Sequence, residues 1–192
     1  MNLPNKLTVF RIILVPIIIL LLFIFPLKSA INIQGVSLPI HQLVAVVLFA
    51  IASFTDFLDG KIARDKQLVT TFGKFMDPIA DKLLVNSLII ILASTNRIHM
   101  AIAIIMICRD IVVDAIRLLA AQNNVVLAAS QLGKAKTFTQ MFAIIFLLLN
   151  NIPFCFVNIP VDMILIWLAT IISFVSGVDY FMKNKHFIME SM

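Results

Sequence analysis

Residues 40–95 read, in succession, IHQLVAVVLFAIASFT, DFLDGKIARDKQLVTTFGKFMDPIAD and KLLVNSLIIILAST, which is an acidic segment between two apolar runs. The acidic segment carries five aspartates, and four of them form two close pairs, Asp56 with Asp59 and Asp77 with Asp81. Carboxylates that border hydrocarbon are costly, so a cluster as dense as this one requires a compensating positive charge. The stretch therefore predicts two antiparallel helices that bring four carboxylates together.

The composition of the chain predicts an integral membrane protein. Of its 192 residues, 61% are hydrophobic and 13% are charged, whereas soluble domains carry about 25% charged residues. In lipid, backbone polar groups are satisfied in helices or in closed barrels, and these apolar runs are too long for barrel strands. We therefore expect an all-α integral membrane protein with a single domain over residues 1–192.

Six apolar runs approach the length of about 20 residues that a membrane-spanning helix needs. We predict six transmembrane helices, preceded by a short interfacial segment at residues 1–8. The approximate spans are 9–27, 39–58, 78–95, 98–121, 135–152 and 158–182.

Basic residues are distributed unequally between the two ends of these spans. The net charge is +5, and outside the fourth span only Lys28 and Arg97 fall on the side opposite the termini. Because basic residues are retained in the cytoplasm, we expect both termini and the aspartates on the cytoplasmic side of the cell membrane. Charges placed at the ends of apolar segments indicate contact with membrane lipid, and we expect no nucleic acid as a partner.

The spacing of the aspartates predicts a metal site. Residues three or four apart share a helix face, so each pair presents two carboxylates together. Oxygen-only ligands suit magnesium or manganese, and four carboxylates fit a pair of such ions better than a single one. The expected ligands are Asp56, Asp59, Asp77 and Asp81.

Residues between the two aspartate pairs predict a diphosphate ligand. Gly60 and Gly73 permit close approach of the backbone to a ligand, and Arg64 is suited to bidentate phosphate contact. We expect all three in or beside a loop over residues 59–77. Pro78 is suited to the first turn of the third helix, where a missing amide donor has little effect.

The complete string is Asp-x2-Asp-Gly-x2-Ala-Arg-x8-Gly-x3-Asp-x3-Asp from Asp56 to Asp81. It closely resembles the signature of the CDP-alcohol phosphotransferase family, and every signature position matches. The resemblance implies a six-helix fold, a homodimer, and a site open to the cytoplasm and the lipid. It implies that the four aspartates bind two divalent ions, with Asp81 as the base that deprotonates the incoming alcohol. It also implies that Gly60, Arg64 and Gly73 hold the cytidine diphosphate group.

Charges inside the fourth apolar run indicate the acceptor alcohol. Four cations, which we expect to form a pocket for a phosphate on the acceptor, are Arg109, Arg117, Lys134 and Lys136. Asp110 and Asp114 lie on the same helix, and we expect ion pairs between them and Arg117. An alternative for Lys134 and Lys136 is that they only set the topology of the chain.

The N-terminal sequence Asn2-Leu-Pro-Asn5-Lys-Leu-Thr8-Val-Phe-Arg11 and the segment Gly133-Lys-Ala-Lys-Thr resemble the glycerol 3-phosphate branch of the family. In that branch Asn5 and Thr8 lie near the donor nucleotide. The expected reaction transfers the phosphatidyl group of CDP-diacylglycerol to glycerol 3-phosphate, giving phosphatidylglycerol phosphate and CMP. Four alternatives remain open at this point: a related enzyme with an inositol phosphate acceptor, another CDP-alcohol phosphotransferase, a divalent-cation transporter, and a non-catalytic scaffold.

Overall fold

The structure is a computed structural model that describes residues 2–24, 29–33, 35–65, 70–123, 125, 127, 130–157 and 159–189. Helices make up most of these residues, in agreement with the predicted helical class. The helices are α1 (Leu3–Ile19), α2 (Ile40–Asp65), α3 (Thr71–Ser94), α4 (Met100–Gln122), α5 (Gln131–Leu148) and α6 (Val161–Met189).

The chain enters α1 at Asn2, whose side chain accepts a hydrogen bond from the Asn5 amide, with a proline in the first turn. This cap starts the helix well before the apolar run begins. A five-residue π-helical segment, Leu20–Ile24, follows α1 directly. The prediction of a separate interfacial segment at residues 1–8 is therefore wrong, because most of these residues form the first two turns of α1.

A β-hairpin separates α1 from α2. Strand β1 (Ala30–Ile33) pairs antiparallel with β2 (Val36–Pro39), and Gly35 in the connecting turn has a φ of 83°. Alternating β-branched residues on either side of a glycine favour such a hairpin. The all-α prediction is wrong for this segment, which is too short to resemble a membrane span.

Helices α2 and α3 extend further toward each other than the apolar runs do. Residues 59–65 continue α2, and α3 begins at Thr71, so the predicted 59–77 loop is wrong over most of its length. The Thr70 hydroxyl accepts a hydrogen bond from the Gly73 amide and caps α3. Pro78 consequently lies inside α3, which corrects the expectation that it occupies the first turn.

The last three helices agree with their predicted spans except at the ends. His99 caps α4 by accepting a hydrogen bond from the Ala101 amide, and Ser130 does the same for the Gly133 amide near the start of α5. Helix α5 ends at Leu148, before Asn150 and Asn151 with φ of 54° and 57°. These ends are set by capping groups, and hydropathy carries no information about capping.

The chain divides into two compact units, each of which is described by itself. The first comprises Met1–Leu92 and Leu148–Ile159, and in it α1 packs along α2. The second comprises Ala93–Leu147 and Pro160–Met192, and in it α4 packs along α6. Fully buried apolar side chains of the first unit include Ile18, Phe49 and Leu88, and those of the second include Met106, Ile116 and Ile166.

Large apolar side chains are exposed on every one of these six helices. Examples, one from each helix in chain order, are Ile13, Phe54, Ile90, Leu118, Phe138 and Phe174. Such exposure is unusual for a soluble monomer and is expected where lipid surrounds the helices. Two helices in the described part of the chain, Pro4–Ile24 and Val161–Lys185, are long and apolar enough by length and composition to cross a membrane.

Candidate functional site

Three of the four predicted metal ligands have described side chains, all in the first unit. Asp56 lies on α2, and Asp77 and Asp81 lie one turn apart on α3. Thr8 and Arg11, which lie three residues apart on α1, contact Asp77 and Asp56 respectively, so α1 is in contact with a carboxylate of each of the other two helices. Asp59 and Arg64 belong to α2, but their side chains lie outside the described part of the structure.

Helix α1 supplies the contacts that orient these carboxylates. The Thr8 hydroxyl lies 2.6 Å from Asp77 Oδ1 and 3.1 Å from the Pro4 carbonyl oxygen. The Arg11 guanidinium is fully buried, and its Nη1 lies 2.5 Å from Asp56 Oδ1. Sequence reasoning missed the role of Arg11, although its three-residue spacing from Thr8 places both on neighbouring positions of one helix face.

Gly73 lies where α3 comes closest to α1. A Cβ at this position would lie 3.3 Å from both Asn5 Oδ1 and Thr70 Oγ1, and 3.6 Å from Asp77 Oδ2. Asn5 Oδ1 also accepts a hydrogen bond of 2.8 Å from the Thr70 hydroxyl. A side chain at this position would therefore crowd polar side chains next to one of the predicted ligands.

The donor atoms at this position suit a hard divalent cation. They are carboxylate oxygens with a hydroxyl beside them, which is the chemistry that magnesium and manganese prefer. Within the ranges that the structure describes, no group of three or more histidine, cysteine, aspartate or glutamate side chains is arranged to hold a metal. The side chain of Asp59, the remaining predicted ligand, is outside those ranges. The described residues fit such an ion in chemistry, and its binding stays a prediction.

In the second unit, two predicted acceptor-binding cations meet at one carboxylate. Lys136 Nζ lies 2.9 and 2.8 Å from the two oxygens of Asp110, and Arg109 Nη1 lies 3.0 Å from Asp110 Oδ1. Lys136 and Asp110 are buried, with exposures of 3% and 6%. Two cations therefore share the carboxylate of Asp110 inside the second unit.

Arg109 is held between α5 and α6. Its Nη2 donates to the Ser176 hydroxyl at 3.1 Å, and a Cβ at Gly177 would lie 2.8 Å from Arg109 Cγ. Arg109 Nε is buried without a hydrogen-bond partner among the described residues. A Cβ at Gly133 would lie 3.3 Å from Arg109 Nη2, so glycines on both neighbouring helices make room for this side chain.

The other two predicted acceptor-binding cations lie apart from Asp110. Arg117 Nε is 3.3 Å from the Tyr180 hydroxyl, and its guanidinium carbon is 5.6 Å from the centre of the Tyr180 ring. Lys134 is exposed on α5. The expected pairing of Asp110 with Arg117 is wrong, because Asp110 pairs with Arg109 and Lys136 instead.

A comparison with known families identifies the family of the chain. A sequence model described as CDP-alcohol phosphatidyltransferase matches residues 1–175. The chain belongs to this family.

The match to the CDP-alcohol phosphatidyltransferases covers every site residue predicted from the sequence, from Asn5 to Lys136. It confirms the resemblance inferred from the aspartate string. The family consists of membrane-bound transferases, so the chain is a membrane-bound enzyme.

Curated relatives are similar over nearly the whole chain. One from Bacillus subtilis (strain 168) is 42% identical over 183 residues, which is 95% of this chain and 95% of the relative. One from Rickettsia bellii (strain RML369-C) is 37% identical over 187 residues, with 97% of each chain covered. Both are named CDP-diacylglycerol–glycerol-3-phosphate 3-phosphatidyltransferase.

Proposed function

We propose that this protein transfers the phosphatidyl group of CDP-diacylglycerol to glycerol 3-phosphate, giving phosphatidylglycerol phosphate and CMP. The observation that carries the proposal is its similarity, over nearly the full length of both chains, to relatives named for this reaction. The complete aspartate string from Asp56 to Asp81 supplies the donor half of the site. The cation pair around Asp110 supplies a positive charge for the phosphorylated acceptor.

We assign the ligands of two divalent cations, magnesium or manganese, to Asp56, Asp59, Asp77 and Asp81. When bound, such cations polarise the diphosphate and stabilise the charge on departing CMP. The chain's own contribution is to hold its carboxylates in place before substrate arrives. Contacts of α1 with Asp56 and Asp77 support this assignment.

In the proposed reaction a hydroxyl oxygen of glycerol 3-phosphate forms a bond to the lipid-side phosphorus of the donor. The bond between that phosphorus and the oxygen of CMP breaks in line with the attack. Asp81 accepts the hydroxyl proton, which is the role of a general base. Gly60, Arg64 and Gly73 hold the cytidine diphosphate group, and the close packing around Gly73 agrees with a requirement for glycine there.

The acceptor phosphate is assigned to the cations of the second unit. Arg109 and Lys136 are held rigidly by Asp110, and buried Arg109 Nε retains an unused donor among the described residues. Arg117 and exposed Lys134 complete the proposed set. Phosphate is a suitable ligand because its oxygens are negatively charged and accept several hydrogen bonds from arginine and lysine side chains.

We further propose that all six helices span the cell membrane and that the enzyme works as a homodimer. Apolar side chains exposed on each helix support a lipid surrounding. The unequal distribution of basic residues supports cytoplasmic termini and a cytoplasmic site, where both CDP-diacylglycerol head group and glycerol 3-phosphate are accessible.

Purified protein supplied with labelled CDP-diacylglycerol and magnesium is expected to form phosphatidylglycerol phosphate from glycerol 3-phosphate. Inositol phosphate and serine, offered under the same conditions, serve as competing acceptors and are expected to react far more slowly. Product identity is read by chromatography of the lipid fraction. Turnover with another acceptor but none with glycerol 3-phosphate would reject the proposed acceptor.

A further inference from the structure

Three polar side chains recur at every third position of α1, and all three are buried. Asn5, Thr8 and Arg11 have exposures of 9%, 1% and 0% in a helix that is otherwise mostly apolar. Buried polar groups require partners, and the partners reveal what such groups do. Because residues three apart are neighbours on a helix surface, Asn5, Thr8 and Arg11 form a slanted stripe along one side of α1.

Asn5 contacts Thr70, which directly precedes α3, whereas Thr8 contacts α3 and Arg11 contacts α2. Asn5 Oδ1 accepts from the Thr70 hydroxyl at 2.8 Å, and Thr70 in turn caps α3 through the Gly73 amide at 3.0 Å. Thr8 reaches Asp77 at 2.6 Å, and Arg11 reaches Asp56 at 2.5 Å. One helix therefore holds two carboxylates that belong to two other helices.

The Thr8 contact distinguishes a role in positioning Asp77 from a role in direct contact with the donor nucleotide. Its distance of 2.6 Å to Asp77 Oδ1 is that of a strong hydrogen bond between a hydroxyl and a carboxylate, whereas its distance to the Pro4 carbonyl oxygen is 3.1 Å. A hydroxyl has one proton to donate, and here that proton faces the carboxylate. Direct contact of Thr8 with the donor nucleotide, which the sequence suggests, would require this bond to be given up.

We infer that Asn5, Thr8 and Arg11 form a positioning network that fixes the carboxylates of Asp56 and Asp77 for cation binding. The inference rests on the proposed function in so far as it assigns the cations to these aspartates. Arg11 offsets the repulsion between the two neighbouring carboxylates, and Thr8 fixes the rotation of Asp77. Outer contacts of this kind orient ligands, and their removal typically weakens metal affinity by about 10–100-fold.

The test is Thr8→Val, which keeps the shape of the side chain and removes its hydroxyl. Manganese alone is titrated into the full-length protein in detergent, without lipid or nucleotide, and free manganese is followed by electron paramagnetic resonance. We expect the affinity for manganese to fall by about 10-fold or more in Thr8→Val. Thr8→Ser restores the hydroxyl, and we expect it to bind nearly as the wild type does.

The matched control is Thr170→Val. Thr170 is also buried in a helix, but its hydroxyl donates to the carbonyl oxygen of Ile166 one turn earlier and not to a carboxylate. Thr170→Val is expected to leave manganese affinity unchanged.

If Thr8→Val does not yield folded protein, Arg11→Lys tests the same network. It keeps a charge opposite Asp56 without the planar guanidinium, and we expect it to weaken manganese binding to a similar extent.

Manganese affinities within about two-fold in wild type, Thr8→Val and Arg11→Lys would overturn the network, as would a wild type that binds no manganese. An increase in the KM for CDP-diacylglycerol alone, with manganese affinity unchanged, would return Thr8 to the donor site and also overturn it. Turnover with glycerol 3-phosphate in the same preparations separates the two proposals. If turnover is absent while manganese affinity depends on Thr8, the proposed function fails and the network stands.

Discussion

Asp81→Asn is expected to lower turnover by at least about 100-fold, the lower range for removal of a general base. Asparagine has nearly the same shape as aspartate, but its amide cannot accept the hydroxyl proton. Asp81 lies one turn after Asp77 on α3, so the substitution leaves the contacts of Asp77 with Thr8 in place. The variant is expected to remain folded and to bind CDP-diacylglycerol.

This expectation is checked by single-turnover assays at saturating donor, with donor affinity measured separately. Asp179→Asn provides the same chemical change at an exposed pair with Lys183 on α6, and it is expected to affect turnover little. If Asp81→Asn retains near-normal turnover, Asp81 is not the base. If it loses turnover only because it no longer folds, a thermal unfolding measurement on the same sample shows this.

Asp110→Asn is expected to destabilise the protein by about 3–5 kcal/mol, the range for a buried ion pair that loses one partner. Asp110 is the common partner of Arg109 and Lys136, and an amide would remove the negative charge that both cations contact. The Lys136 ammonium is nearly inaccessible to water, so it cannot recover its hydration without local opening of the helices.

Lys136→Met is the variant whose loss of stability is compared with that of Asp110→Asn. In that variant Asp110 retains Arg109 at 3.0 Å, and the cluster becomes neutral, so we expect a clearly smaller loss of stability. Both variants are compared with the wild type by denaturant unfolding in the same detergent. Equal losses in the two variants would contradict the view that Asp110 neutralises two cations.

The long helices and the family were predictable because their signals are local. An apolar run of sufficient length specifies a helix in lipid. The string from Asp56 to Asp81 is recognised from the identity and spacing of its residues alone. Helix ends were less predictable, since the cap at Thr70 begins α3 among polar residues that hydropathy assigns to a loop. The hairpin at Gly35 was missed because its two strands, of four residues each, are shorter than any span-length window.

The candidate site was predictable only where the partners lie close in sequence. Asp56 and Asp77 flank a single helix connection, so their approach follows from antiparallel packing. The partners of Thr8 and Arg11 lie far along the chain, and which face of α1 meets α2 and α3 depends on helix rotation. The same reason explains why Asp110 was expected to pair with Arg117 on its own helix, whereas it pairs with Lys136 on α5.

The central claim is that the aspartate carboxylates of α2 and α3 hold the cations that activate the donor. Anomalous diffraction from crystals of the full-length protein grown with manganese tests this claim most directly. We predict two manganese peaks about 4 Å apart, the usual spacing of a two-metal phosphoryl-transfer site, in contact with Asp56, Asp59, Asp77 and Asp81. Peaks that avoid these side chains, or no ordered manganese while CDP-diacylglycerol is bound and turned over, would contradict it.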